Sequence, residues 1–124
     1  MLTDERVQEL FRAIDAMDAE GFASFFTGEG RFVYGAQIDV SGRDAVREGV
    51  AGFFGMLKSL SHSNLQVWPS ADGSRQFIYG EVHYVMPNGN TADIAFLNLF
   101  AFEGELISDY RVFTDPTPMF KAME

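Results

Sequence analysis

The chain has 124 residues, no cysteine, and a formal charge of −9 from 9 basic and 18 acidic side chains. That length is one ordinary domain, read as residues 1–124, and 47% hydrophobic residues supply enough apolar surface for a core. With no cluster of Lys or Arg a nucleic-acid partner is excluded, and without cysteine there is neither a disulfide framework nor a thiolate metal or redox site.

Met1 to Arg6 is acidic and lacks the apolar core of a signal peptide, and no run approaches membrane-spanning length. A soluble, cytoplasmic protein with no membrane partner is expected. Val7, Leu10, Phe11, Ile14 and Met17 recur at helical spacing behind the N-cap candidate Thr3, which predicts a helix over about residues 3–17. Asp18 caps a second, short helix holding Phe22, Phe25 and Phe26, closed by Gly28 and Gly30 before a strand from Arg31 to Ala36. Ser41-Gly42-Arg43-Asp44 opens a third helix with Val46, Val50, Phe53, Phe54 and Leu57 on its inner stripe.

Four strands follow, at about Ser61–Trp68, Gln76–Met86, Asn90–Phe102 and Glu105–Thr114, with turn residues between them. In the second, alternation puts Ile78, Gly80, Val82, Tyr84 and Met86 inward and His83 outward. The third carries one amide, Asn98, on the same face as Ile94, Phe96, Phe100 and Phe102. A polar group in such a row marks a pocket. In the last, Tyr110 and Val112 face inward, while Asp109 and Arg111 point out to pair across the sheet or at a subunit contact. Asp115-Pro116-Thr117-Pro118 is read as the end of the strand, with no chemistry. Helices first and an antiparallel meander after make an α+β domain.

This order, with Gly42-Arg43 before the third helix and Ile107-Ser108-Asp109-Tyr110-Arg111 running into Asp115-Pro116, resembles the nuclear-transport-factor-2-like superfamily. More narrowly it resembles the SnoaL-like group, which includes polyketide cyclases, ketosteroid isomerase, limonene epoxide hydrolase and scytalone dehydratase. The resemblance covers nearly the whole chain. It implies a cystatin-like, cone-shaped curved antiparallel sheet packed against three N-terminal helices, a scaffold that hosts enzymes and non-catalytic modules alike.

Matched by position, the base of ketosteroid isomerase falls at Tyr34 and its oxyanion Tyr and Asp at Ala13 and Asn98, so that machinery is absent. The triad of limonene epoxide hydrolase falls at Phe96, Asn98 and Val112, and is absent too. Scytalone dehydratase matches further: its helix-one Asp is Asp15, a water-binding Tyr is Tyr34, a catalytic His is His62 and its pocket Asn is Asn98. Its second water-binding Tyr would be Ile14, and its second His falls near Tyr84 to Pro87.

The residues also bear plainer readings. Asp15 lies on the flank of the apolar stripe, facing either the cavity mouth or solvent, and His62 shares a strand face with Asn64, Gln66 and Trp68, where a lone histidine is more often a satisfied structural residue than a catalyst. The resemblance implies His62, Asp15 and Tyr34 as catalytic residues, with Asn98, Tyr110, Phe96, Val112 and Tyr84 binding a small apolar or aromatic ligand. The expected activity is cofactor-independent, metal-free dehydration, enolisation or cyclisation of an aromatic or polycyclic carbonyl compound. The alternative is a non-catalytic small-ligand-binding or dimerisation module. A homodimer through the outer sheet face is expected, because the helices cover only one face.

Overall fold

In the computed structural model, which describes residues 1–124, Val7, Leu10, Phe11 and Ile14 are buried along one side of α1 (Asp4–Asp15). The Thr3 hydroxyl caps the helix by accepting the Arg6 N–H at 3.1 Å. Asp18 caps α2 (Ala19–Ala23) through the Gly21 N–H, as its position predicts.

That helix is shorter than the sequence suggests. Phe25 and Phe26 do not continue it; β1 (Phe26–Tyr34) starts at Phe26 and runs through Gly28 and Gly30. A Cβ on Gly30 would lie 2.9 Å from the Phe26 ring and 3.0 Å from the Ile107 carbonyl. Gly30 therefore lets a bare backbone pass over Phe26 at an irregularity in the strand, rather than ending a helix. β2 (Ile38–Ser41) is absent from the sequence reading because its alternation, though regular, runs for only four residues between two turns. It is tied to β1 by the Arg31 guanidinium, which donates to both Asp39 oxygens at 2.8 and 2.7 Å.

α3 (Arg43–Phe54) buries Val46, Val50 and Phe54. It leads into β3 (Ser59–Pro69), β4 (Arg75–Val85), β5 (Thr91–Glu103) and β6 (Leu106–Thr114), a meander of three antiparallel pairs. The sheet has six strands in the order β2-β1-β6-β5-β4-β3, curved and unclosed, with the helices on its concave side. The cone-shaped α+β architecture is as expected. Its sheet, however, is mixed: β1 runs parallel to β6. These strands are joined through α3 and the whole meander, so no hairpin fixes their relative direction.

A last helix, α4 (Thr117–Ala122), occupies the segment read as a simple stop. Proline in a first turn favours a helix start, because the N–H it lacks would have no partner there. Asp115 holds that turn by accepting from the Thr117 N–H at 3.0 Å and its hydroxyl at 2.6 Å. The Asn88 and Asn90 amides donate to the Ala122 carbonyl at 3.0 and 3.1 Å, pinning α4 to the β4–β5 turn.

On the concave face lie the expected Ile78, Val82, Tyr84 and Met86 of β4 and Ile94, Phe96, Asn98 and Phe100 of β5, all buried. His83 faces outward as predicted, its Nδ1 2.8 Å from Asp93. Arg111 and Asp109 also point out, but pair along their own strand at 2.9 Å rather than across the sheet. The outer face carries two apolar cross-strand rows, Trp68–Phe77–Leu99 and Tyr79–Leu97–Phe113. Trp68, Leu97 and Phe113 stand exposed there. No helix is long and apolar enough to cross a membrane.

Candidate active site

Asp15 closes α1, and the packing of that helix against β3 brings its carboxylate to His62. Asp15 Oδ1 lies 2.5 Å from His62 Nδ1, and Oδ2 accepts the backbone N–H of the same residue at 3.1 Å. An ionised carboxylate only accepts, so Nδ1–H is the donor of this contact, and Nε2 is the ring nitrogen left without a protein partner beside the pocket that His62 lines. The ring is gripped between Phe11, at a centroid distance of 4.9 Å, and the edge of Phe96, at 5.3 Å. His62 is 9% exposed and Asp15 31%, so the base is shielded while its carboxylate keeps a wet edge.

Asn64, Gln66 and Trp68 do not share the face of His62, contrary to the alternation. The pairing of β3 with β4 slips between Ser63 and Gln66, with Asn64 at φ +53°, and the extra residue turns Leu65 and Val67 inward instead. His62 is thereby the last inward residue before the bulge.

Across the cone, the hydroxyl oxygens of Tyr34 and Tyr84 are 3.4 Å apart. A good O–H···O bond spans about 2.5–3.0 Å, so the two hydroxyls meet in a long, weak hydrogen bond that leaves each able to take a further partner. Asn98 is 1% exposed; its Nδ2 donates to Tyr110 Oη at 3.3 Å, and its Oδ1 has no partner. A buried unpaired acceptor costs about 1–3 kcal/mol, which a ligand hydroxyl or N–H would relieve. Burial pushes the Tyr34 phenol up, and it pushes Tyr84 and Tyr110 up much further. All three therefore remain neutral donors at neutral pH.

An acid whose folded pKa is raised adds stability that is present below its unfolded value, near 10, and lost as pH climbs toward the folded value. Absorbance titration should find that these three of the four tyrosines ionise only together with alkaline unfolding. Three free phenolates in a protein still folded by circular dichroism would show an open, wet site.

His62, Tyr34, Tyr84, Asn98, Tyr110, Phe96 and Val112 all line one pocket, with Asp15 behind His62. Fourteen of its 17 lining residues are hydrophobic. No three His, Asp or Glu side chains gather into a metal-holding group.

The sequence profile of the SnoaL-like domain matches residues 7–110, most of the chain. The chain belongs to the SnoaL-like family. No curated protein matches it in sequence. Among solved structures, it superposes on an NTF2-like protein of unknown function from Burkholderia pseudomallei with TM-score 0.84 and 17% identity, covering 96% of this chain and 95% of the other. A protein provisionally named a polyketide cyclase, from Xanthomonas campestris, gives 0.83 and 16%, covering 95% and 93%. A protein of ketosteroid isomerase-like fold from Catenulispora acidiphila, in complex with trimethylamine, gives 0.85 and 14%, covering 98% and 94%. At these identities the likeness establishes the fold alone.

Within this SnoaL-like domain the interior is narrow. About 50 Å³ is open to the centre of a water molecule, inside about 520 Å³ of unfilled space that includes the mouth. A few waters fit in 50 Å³, whereas an apolar cavity that takes benzene measures about 150 Å³. Phe53 overlies both phenols, its centroid 5.3 Å from Tyr34 and 6.1 Å from Tyr84. In the sequence it is merely one of five apolar residues in a helical stripe, with nothing to single it out. Gly80 is a further contributor that sequence reasoning missed. A Cβ there would meet the Phe96 ring at 2.6 Å, so the bare backbone is what leaves Phe96 its place edge-on to His62.

Proposed function

We propose that this SnoaL-like domain is a cofactor-independent enzyme that moves a proton beside the carbonyl of an aromatic or polycyclic compound. The observation that carries the reading is the His62–Asp15 pair, with Nδ1 held by the carboxylate and Nε2 left facing the pocket. Nε2 takes a proton from the carbon next to the carbonyl, and the electron pair of that C–H bond shifts to make an enolate. Tyr34 and Tyr84 donate to the enolate oxygen, where their convergence places two neutral O–H groups. The imidazolium, stabilised by Asp15, then returns its proton. Delivered to another carbon it completes an isomerisation; delivered to a β-hydroxyl it releases water and leaves the unsaturated carbonyl.

Asn98 Oδ1 accepts from a substrate hydroxyl while Tyr110 fixes the amide. The neighbours named for polyketide cyclisation or for a ketosteroid isomerase-like fold lend the reading support as hosts of carbonyl chemistry. One observation favours a non-catalytic binding module instead: the narrow interior, which no ring enters unless a side chain moves. The test is exchange of the α-hydrogens of acetophenone with D2O, followed by NMR. Catalysed exchange supports the enzyme; binding without exchange supports the module.

We further infer a homodimer through the outer sheet face, where the exposed rows around Leu97 and Phe113 form an apolar patch that no helix covers. Light scattering at micromolar concentration should give twice the 13.8 kDa chain mass, and Phe113→Glu should give the single mass. A monomeric parent protein would remove this inference.

A further inference from the structure

Two apolar hollows share a wall. Tyr34 and Phe53 line the interior pocket and also line a second hollow outside it, between β2, α3 and α4. The outer hollow offers about 150 Å³ open to the centre of a water molecule, against about 50 Å³ inside. This ratio decides how a substrate can sit. The interior has room for a reacting carbonyl and its adjacent carbon, but not for the ring system attached to them.

The outer hollow is built for such a group. Gln37 supplies its one polar side chain apart from the Tyr34 phenol, and Ile38, Met56 and Phe120 give it apolar walls, with Met56 and Phe120 exposed at the lip. Its far wall is fixed, because Met119 is buried and the Ala122 carbonyl is held by two amides. Phe53, by contrast, is half-buried, with Gly52 before it in α3 and Gly55 at the C-cap, neither carrying a side chain to wedge it. It is the less enclosed side of the shared wall, since Tyr34 is buried.

We propose that the outer hollow is the second half of the substrate site. The remote apolar part of the carbonyl compound, a ring or alkyl chain, passes between Tyr34 and Phe53 and lies in the hollow. Phe53 is the gate that admits it. This rests on the placement of the carbonyl at Tyr34 and Tyr84, and it adds that the substrate is elongated, with a reactive head and an apolar tail.

Two ketones test it, butan-2-one as head alone and octan-2-one as the same head carrying a further butyl chain, with dissociation constants from NMR titration. One buried methylene is worth up to about fourfold in affinity, so the butyl chain should tighten binding by about tenfold or more. Gly49 lines the hollow, and a Cβ there would meet only Val40 and Ile38 side chains at 3.5–3.7 Å, an ordinary contact. The first carbon of any side chain is thus accommodated, Gly49→Leu extends from it to occupy the hollow, and at a helix-interior position both alanine and leucine are better helix formers than glycine. In Gly49→Leu the ratio of the two affinities should fall to about twofold or less, and Gly49→Ala should lower it partway. A ratio unchanged in the leucine variant overturns the hollow as tail site and leaves the carbonyl placement standing. Failure of both ketones to bind, or to shift the Tyr34 and Tyr84 resonances, overturns the carbonyl placement and the tail site together.

Discussion

Replacing His62 by alanine should slow the solvent exchange of acetophenone α-hydrogens by about 10²–10⁴-fold, the usual contribution of a positioned general base. The structure makes Asp15→Asn nearly as damaging, for a geometric reason. The carboxylate accepts from two donors of one residue, the His62 backbone N–H and the ring Nδ1–H. An asparagine in its place offers one acceptor and one NH2, so one of the two donors meets another donor. Either His62 loses its anchor, or Nδ1 turns acceptor and the proton moves to Nε2, the atom that must be free. Nitrogen-15 shifts of the ring report which tautomer is present. The two residues act as one device, so the double variant should be little slower than either single one. An exchange rate that survives in His62→Ala, with melting temperature preserved, would sink the catalytic assignment.

What could be read from the sequence follows from what alternation and spacing encode. Asn98 stood out because a strand with period two assigns each residue a face, and the structure places it among Ile94, Phe96 and Phe100 as expected. The capped helix α1 was equally legible. The Asp15–His62 contact was implied only through the resemblance, since nothing local says that the end of α1 meets β3. The slip at Asn64 changes which residues face inward without changing composition, so alternation carried through it gave His62 the wrong companions. Tyr34 and Tyr84 meet because the sheet is curved: they sit on β1 and β4, with β6 and β5 between, and no register relation brings their hydroxyls together. The proline-rich end hides α4, because proline reads as a breaker in a sequence, whereas in the first turn of a helix it favours the start.

Asn98→Asp and Asn98→Leu should separate sharply in stability. The aspartate is nearly isosteric, but at 1% exposure, in a pocket lined by no Lys or Arg, its ionised form is stranded. Burial of this kind raises a carboxyl by about 3–5 pKa units. A raised folded pKa means stability that is intact below the unfolded value, near 4, and lost as pH rises from there toward the folded value. Urea midpoints should therefore be close to those of the parent protein at pH 4, and at pH 7 the variant should be weaker by up to about 4 kcal/mol, the full cost of the roughly 3 pH units between the unfolded value and pH 7. The leucine variant carries no such penalty. It gives up a 3.3 Å neutral hydrogen bond and strands the Tyr110 hydroxyl, but it also removes an acceptor that had no partner, and these changes are of similar size, about 1–2 kcal/mol each. Its stability should stay within about 1 kcal/mol of the parent at either pH. Function should show the loss instead: the parent protein should bind 3-hydroxypropiophenone about tenfold more tightly than propiophenone, because the hydroxyl reaches Oδ1, and Asn98→Leu should erase that preference. An aspartate variant as stable at pH 7 as at pH 4 would mean that water already reaches Asn98. The unpaired oxygen would then be solvated in the free protein, and a ligand hydroxyl would gain little by replacing that water.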